Sequence, residues 1–188
     1  MDYAKKICSF TGYRTKKLNA SISAGSASAE EIKSALKAEM ERMLKEGFGT
    51  FQCGMAVGAD LMFAEIALEL KREHPSVKFI AVIPCLEHDS GWNETDRARC
   101  REISEKADEA VIVSNSRYFD GCMAKRNRYL ADTCDELLAV YDGQRGGTMQ
   151  TINYAGKRKI KITVVNPEKG FAAPFDAGGY FKKRAGFR

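Results

Sequence analysis

The sequence predicts one doubly wound α/β domain, a mainly parallel sheet with helices on both faces. Three observations predict it. Short apolar runs alternate with segments of helical period along most of the chain. Each run is about one strand long and rich in Val, Ile or Phe. At 188 residues and 44% hydrophobic content, the chain has the size of one domain with a core. Strands that alternate with helices join through right-handed crossovers, which covers both sides of the sheet.

The strand candidates in order are KICSFTG (5–11), TFQCG (50–54), VKFIAVIP (77–84), EAVIVS (109–114), ELLAVYD (136–142) and KIKITVVN (159–166). Ser28 and Glu31 form a capping box. Ile32, Leu36, Met40, Met43 and Leu44 then recur at helical spacing until Gly47 stops the run. Residues 59–73, 92–107 and 122–134 follow as helices, and a shorter one begins near Thr148. Residues 15–27, TKKLNASISAGSA, predict a long loop leaving the first strand. The domain is expected to span residues 1–166. Residues 167–188 form a tail of Phe, Gly and basic residues without periodicity, expected to lie on the domain or on a partner.

Charge and cysteine usage narrow the class. The net charge of +5 comes from 30 basic and 25 acidic residues, interleaved rather than gathered in a stripe. That pattern favours an anionic ligand and speaks against nucleic acid as the main partner. No apolar run approaches the ~20 residues of a membrane span. The opening MDYAKKICSF enters a strand without an apolar leader, so a cytoplasmic location is expected. Six scattered cysteines without a CxxC pair read as reduced, buried thiols.

Ligands of open parallel sheets sit beyond the carboxyl ends of the strands. Three glycine-bearing turns follow strands there: TGYR (11–14), GMAVGAD (54–60) and DGQRGGTMQT (142–151). Glycine lets backbone amides approach an anion closely. Gly146 and Gly147 lead into a helix at Thr148, whose orphan amides favour a phosphate or carboxylate. None of the turns is a dinucleotide or Walker fingerprint. The candidate ligand-binding residues are Thr11, Gly12, Arg14, Gly54, Gly58, Asp60, Arg126, Asp142, Gly146, Gly147 and Thr148.

The stretches CSFTGYR, GMAVGADLMFAEIALELK, IPC…W, RNRYLAD and LLAVYDGQRGGTMQTINYA together resemble the YpsA-like branch of the SLOG superfamily. The resemblance runs from about residue 7 to residue 165. It implies a Rossmann-like sheet that binds nucleotides or nucleotide-derived ligands, as in the lonely-guy (LOG) phosphoribohydrolases and the DNA-processing SMF/DprA proteins. It places Arg126 where LOG enzymes carry an arginine before their glycine motif. It also implies a glutamate after GGxGTxxE, but Ile152 or Asn153 stands in that place, so LOG chemistry is not expected by that route.

Each candidate carries a plainer alternative. Asp60 opens a helix, where capping is the commonest role; a ribose hydroxyl or a metal is the other. Asp142 is the best-placed spare carboxylate, or else a turn residue. Thr148 caps a helix or meets a phosphate. Trp92, Tyr118 and Tyr129 are expected to pack rather than stack on a base. Cys85, His88 and Asp89 are too few for a zinc site, and no metal is expected. No cofactor and no catalytic residue is named by the sequence. The reading ranks a cytosolic binder or sensor of NAD, ADP-ribose or a related nucleotide first. A hydrolase using Asp60 or Asp142 comes second, and a DprA-type binder of single-stranded DNA third. An apolar helix face leaves room for a homodimer.

Overall fold

The computed structural model describes residues 6–176. It is an α/β domain with seven strands in one sheet, in the order β4-β3-β2-β1-β5-β6-β7. The strands are β1 (Lys6–Thr11), β2 (Phe48–Cys53), β3 (Lys78–Ile83), β4 (Glu109–Ile112), β5 (Glu136–Val140), β6 (Lys161–Asn166) and β7 (Phe171–Pro174). The helices are α1 (Thr15–Ala24), α2 (Ala29–Lys45), α3 (Ala59–Glu73), α4 (Glu94–Glu105), α5 (Cys122–Asp132) and α6 (Gly147–Lys157). All strand pairs are parallel except β6 with β7. The predicted class is the observed one.

Strand order decides where a crevice opens. From β1 the chain steps outward through β2, β3 and β4, then returns to place β5 on the other side of β1. The loops after β1 and β5 therefore leave in opposite directions and leave a gap between them. β1 and β5 are buried at most positions because both faces are covered.

The core centres on α3. Ala59, Leu61, Phe63, Ala64, Ile66, Ala67 and Leu70 are all buried. Phe63 stacks on Phe10 of β1 at 4.5 Å between ring centroids and meets Phe51 of β2 edge-on. This aromatic cluster fixes α3 across the central strands, so its N-terminus stays beside the end of β1.

Two segments depart from the expectation. Residues 15–27 are not a loop: Thr15–Ala24 forms α1. Its signal is faint because only Leu18 and Ser21 are buried, and no side chain caps its first turn. Tertiary contacts supply what propensity lacks, chiefly Ser21 Oγ donating to Asp142 Oδ2 at 2.5 Å. The tail beyond residue 166 contributes a strand. Gly170, in the left-handed region at φ 68°, turns the chain so that β7 pairs back on β6. Pro174 is tolerated there because β7 is an edge strand. The Glu168 carbonyl accepts from the amides of Ser26 and Ala27, which ties this turn to the junction of α1 and α2. The basic residues beyond 176 lie outside the described residues.

A candidate ligand crevice at the β1–β5 switch point

A crevice of about 360 Å³ opens between the carboxyl ends of β1 and β5. Four elements wall it: the β1–α1 turn, the first turn of α3, the start of α5, and the loop into α6. Arg14, Lys17, Arg126 and Arg145 border it, and Asp60 is the single acidic residue on its wall. The surplus of positive charge selects an anion.

Arg126 occupies its foot. The side chain is 6% exposed, and Nη1 meets Asp60 Oδ2 at 3.3 Å. Nη2 lies 3.9 Å from Met123 Sδ, and Nε is buried without a hydrogen-bond partner. A guanidinium carries five donors and is seldom buried so thinly satisfied. Asp60 Oδ2 also accepts from the Ala56 amide at 3.2 Å, so the carboxylate anchors both the turn and the arginine. Burial pushes the Asp60 carboxyl above its ordinary value, against the pull of Arg126 and the Ala56 amide.

The GMAVGAD turn is built around this arginine. A Cβ on Gly54 would sit 0.9 Å from Arg126 Nη1, so the glycine makes room for the guanidinium. Gly58 caps α3 at φ 98°, and a Cβ there would fall 2.6 Å from the Tyr13 carbonyl oxygen. That same carbonyl accepts from the Ala59 amide at 3.0 Å. Both glycines thus stand behind the wall. They lock the β2–α3 turn to the β1–α1 turn and hold Arg126 forward.

The α6 side supplies amides. Gly146 caps α6 at φ 150°, no side chain caps that helix, and no acidic residue lies in its first turn. Among the described residues, nothing accepts from the amides of Gly147, Thr148 or Met149. Thr148 Oγ1 donates to the Gly12 carbonyl at 3.0 Å, so its hydroxyl stitches α6 to the β1 turn. A Cβ on Gly147 would meet nothing nearer than Asn127 Nδ2 at 4.0 Å, so that face of α6 is open to the crevice.

The crevice brings together Thr11, Gly12, Arg14, Asp60, Arg126, Gly146, Gly147 and Thr148. It does not include Gly54, Gly58 or Asp142. Asp142 accepts from Tyr13 Oη and Ser21 Oγ, each at 2.5 Å, and from the Gln144 amide at 3.0 Å. It organises the turn after β5 rather than standing spare. Asp60 is not an N-cap residue either; it lies in the first turn of α3 and reaches back to Ala56.

Tyr13, Lys17, Met123, Asn127 and Arg145 also line the crevice and were not among the residues singled out from sequence. Lys17 and Arg14 lie one turn apart at the start of α1, a relation visible only once 15–24 is known to be helical. Lys17 Nζ donates to the Arg145 carbonyl at 2.7 Å and lies 4.3 Å from the Tyr13 ring centroid, bridging the two walls. Of the aromatic residues, Trp92 packs on the core and meets His88 edge-on at 5.4 Å. Tyr118 does not pack; it is 60% exposed.

Burial holds five of the six thiols in their protonated form. All six cysteines are free. Burial pushes Cys85, Cys100 and Cys134 up to about 11, and Cys8 and Cys53 well above the ordinary value. Among the described residues, no three His, Cys, Asp or Glu side chains are grouped to hold a metal, and no helix is long and apolar enough to cross a membrane.

The profile of the YpsA (YspA SLOG) family matches residues 8–169, which takes in every wall of the crevice. The chain belongs to the YpsA SLOG family. Its relatives include UPF0398 proteins of Bacillus thuringiensis strain Al Hakam and Bacillus cereus strain AH187. Each is 28% identical over 158 residues, covering 84% of this chain and 85% of the relative. Two solved structures share the fold at 16% identity. DNA processing protein A of Streptococcus pneumoniae superposes with a TM-score of 0.57, over 97% of this chain and 57% of that one. DNA processing protein A of Helicobacter pylori gives 0.54, over 88% of this chain and 69% of that one. At that identity the likeness speaks for the fold of this SLOG member alone.

Proposed function

We propose that the crevice binds a nucleotide-type ligand, NAD, ADP-ribose or a related compound, through its phosphates, and that the protein acts as a binder or sensor rather than a rapid hydrolase. The observation that carries this reading is Arg126, buried at the foot of the crevice with Nε unpartnered and only one oxygen contact. A phosphate in front of it would accept from the guanidinium and from the open amides of α6, with Arg14, Lys17 and Arg145 at the rim. The six free thiols fit a reducing, cytoplasmic setting.

The carboxylates favour binding over hydrolysis. α6 contains no Asp or Glu, Asp60 is engaged with Arg126, and Asp142 is saturated by hydroxyl and amide donors. A carboxylate serves as a general base only when it is free to reach the reacting atom. A second reading, single-stranded DNA, draws on the related protein of Helicobacter pylori, described by its single-stranded DNA binding mode. The site here is a crevice of about 360 Å³ bounded by four elements, within the size range of small-molecule sites, which suits a small molecule better than a strand of DNA.

The test is a thermal-shift and calorimetric series over pyrophosphate, AMP, ADP, ADP-ribose, NAD and a short DNA strand. A ligand at 100 times its dissociation constant raises stability by about 2.7 kcal/mol. Arg126→Lys keeps the charge but loses the fork, and it should weaken binding at least tenfold. No base should be released from AMP above the protein-free control. Failure of every phosphate compound to move the melting curve at millimolar concentration would overturn the proposal.

A further inference from the structure

Asn127 of α5 borders two spaces: the crevice, and a groove of about 260 Å³ between α5 and α6. The two follow one another along the same pair of helices. The crevice takes Gly147 and Thr148 from the first turn of α6, and the groove takes Gln150, Asn153 and Lys157 from the turns that follow. On α5 the groove is lined by Ala124, Asn127 and Arg128, which share one helical face at spacings of three and four. Ala124 offers only a methyl there, which leaves room between the helices.

The two spaces differ in what they can hold. The crevice carries four cations and the open amides of α6, groups that take phosphate. The groove brings three carboxamides, each with a donor beside an acceptor. Asn127 and Asn153 are half-buried, and none of the three side chains has a hydrogen-bond partner among the described residues. No Asp or Glu lines the groove. Asp132 does not line it and is engaged by Tyr154 Oη and Arg158 Nε, each at 3.1 Å. At a rise of 1.5 Å per residue, Asn153 lies about 9 Å along α6 from Gly147, the reach of a nucleoside from its 5′-phosphate.

On the reading of the crevice as a phosphate site, we propose that the groove between α5 and α6 is the nucleoside subsite and that it selects adenine. Adenine presents an amino donor next to a ring-nitrogen acceptor, the pattern that one Asn or Gln carboxamide meets in bidentate fashion. Guanine presents two neighbouring donors at N1 and N2. Those call for a carboxylate, and the groove has none. A base with a cationic ring, such as oxidised nicotinamide, is repelled by Arg128 and Lys157, which line the groove without an ion pair among the described residues. In a dinucleotide the adenosine half therefore lies in the groove and the pyrophosphate in the crevice.

The test is titration calorimetry on the full chain with pyrophosphate, ADP and GDP, where pyrophosphate reports the crevice alone. Wild type should bind ADP about fivefold or more tighter than GDP, the lower end of what one bidentate base contact discriminates. Gln150→Ala with Asn153→Ala removes two carboxamides from helical positions where alanine is well tolerated, so the melting curve should hold. This double variant should lower ADP affinity about tenfold, bring ADP and GDP together, and leave pyrophosphate affinity at the wild-type value. Ala124→Trp fills the groove from α5 and should do the same, so the decision does not hang on one variant folding. Equal binding of ADP and GDP by wild type overturns the proposal, as does ADP affinity that both variants leave untouched. An equal fall for pyrophosphate overturns it too, because these residues would then act on the crevice. In the first two cases pyrophosphate binding by wild type keeps the crevice reading standing. If neither pyrophosphate nor ADP binds wild type, the crevice reading falls and the subsite with it.

Discussion

Helices α2 and α4 begin differently from α1, α3, α5 and α6. Ser28 and Glu31 close a reciprocal capping box on α2, and Asn93 caps α4 through the Asp96 amide. The other four carry no side-chain cap: Arg14, Gly58, Gly121 and Gly146 stand at those positions. The division follows the crevice. Every uncapped helix contributes residues to its wall, and neither capped helix does. A side-chain cap is worth about 1 kcal/mol over a residue such as Arg14 and only a few tenths over the glycines, so the missing caps are a modest stability cost with a shared location. At α3 the cost is partly offset by the Tyr13 carbonyl, which takes the Ala59 amide. At α6 nothing among the described residues offsets it. Amides left open at a helix N-terminus, beside a thinly satisfied arginine, are what an anion would complete.

The largest effect should come from closing the space behind the arginine. Gly54→Ala drives a Cβ into the guanidinium of Arg126 and breaks its pairing with Asp60. Separating a buried pair leaves an uncompensated charge, so urea unfolding should show a loss of about 3–5 kcal/mol, with ligand binding abolished. A loss under about 1 kcal/mol would mean that Arg126 moves freely and is not held by the turn.

Gly147→Val sharpens the contrast from the ligand's side. The position has room for a Cβ in the fold, so the melting curve should hold while affinity falls at least tenfold, about 1.4 kcal/mol. Equal loss of fold and binding would place the glycine in the turn alone. A smaller and opposite pair of changes is expected at α1. Arg14 already has the extended backbone of an N-cap, φ −66° and ψ 157°. Arg14→Ser should therefore give that helix the cap it lacks, raising stability by about 0.5–1 kcal/mol while weakening phosphate binding. Stability and affinity moving together would break the comparison.

The smallest effect is a pH dependence in the turn beside the crevice. Burial alone would raise the Asp142 carboxyl, but the hydroxyls of Ser21 and Tyr13 and the Gln144 amide hold it below its ordinary value. A folded value below the unfolded one, about 3.9, stabilises the fold above that pH. The contribution is lost as pH falls through the lower folded value. Urea midpoints of wild type and Asp142→Asn should therefore differ most near neutral pH and converge toward pH 3. A gap that widens with acid would show the sign to be wrong.

The sheet was legible because its strands are short, apolar and β-branched, and because capping and glycine signals bound α2. Two elements were not. α1 reads as a loop because a Ser/Ala-rich segment with two buried residues has little periodicity of its own. It is held by Ser21 reaching Asp142, 121 residues away. β7 reads as tail because an edge strand with a single neighbour shows no buried alternation. Three glycine turns at one sheet edge were enough to locate the crevice. They did not show that Gly54 serves Arg126, since that clearance joins residues remote in sequence and exists only in three dimensions. In the sequence Asp142 reads as either of two roles for the same reason: its partners Tyr13 and Ser21 come from the other end of the chain.

Because the switch point separates β1 from β5, the two sides of the crevice come from opposite halves of the chain. Thr148 closes on Gly12 across 136 residues. Strands β1 to β4 are neighbours in sequence order and can assemble while the rest of the chain is still being synthesised. The crevice has no such early form, since its second wall arrives only with α6. Contacts of this separation carry the largest loop-closure cost and tend to form late on the folding path. A ligand held there would find no partial site on a nascent chain. It should leave the refolding rate nearly unchanged and slow unfolding instead, acting as a lock on the finished domain rather than a template for making it.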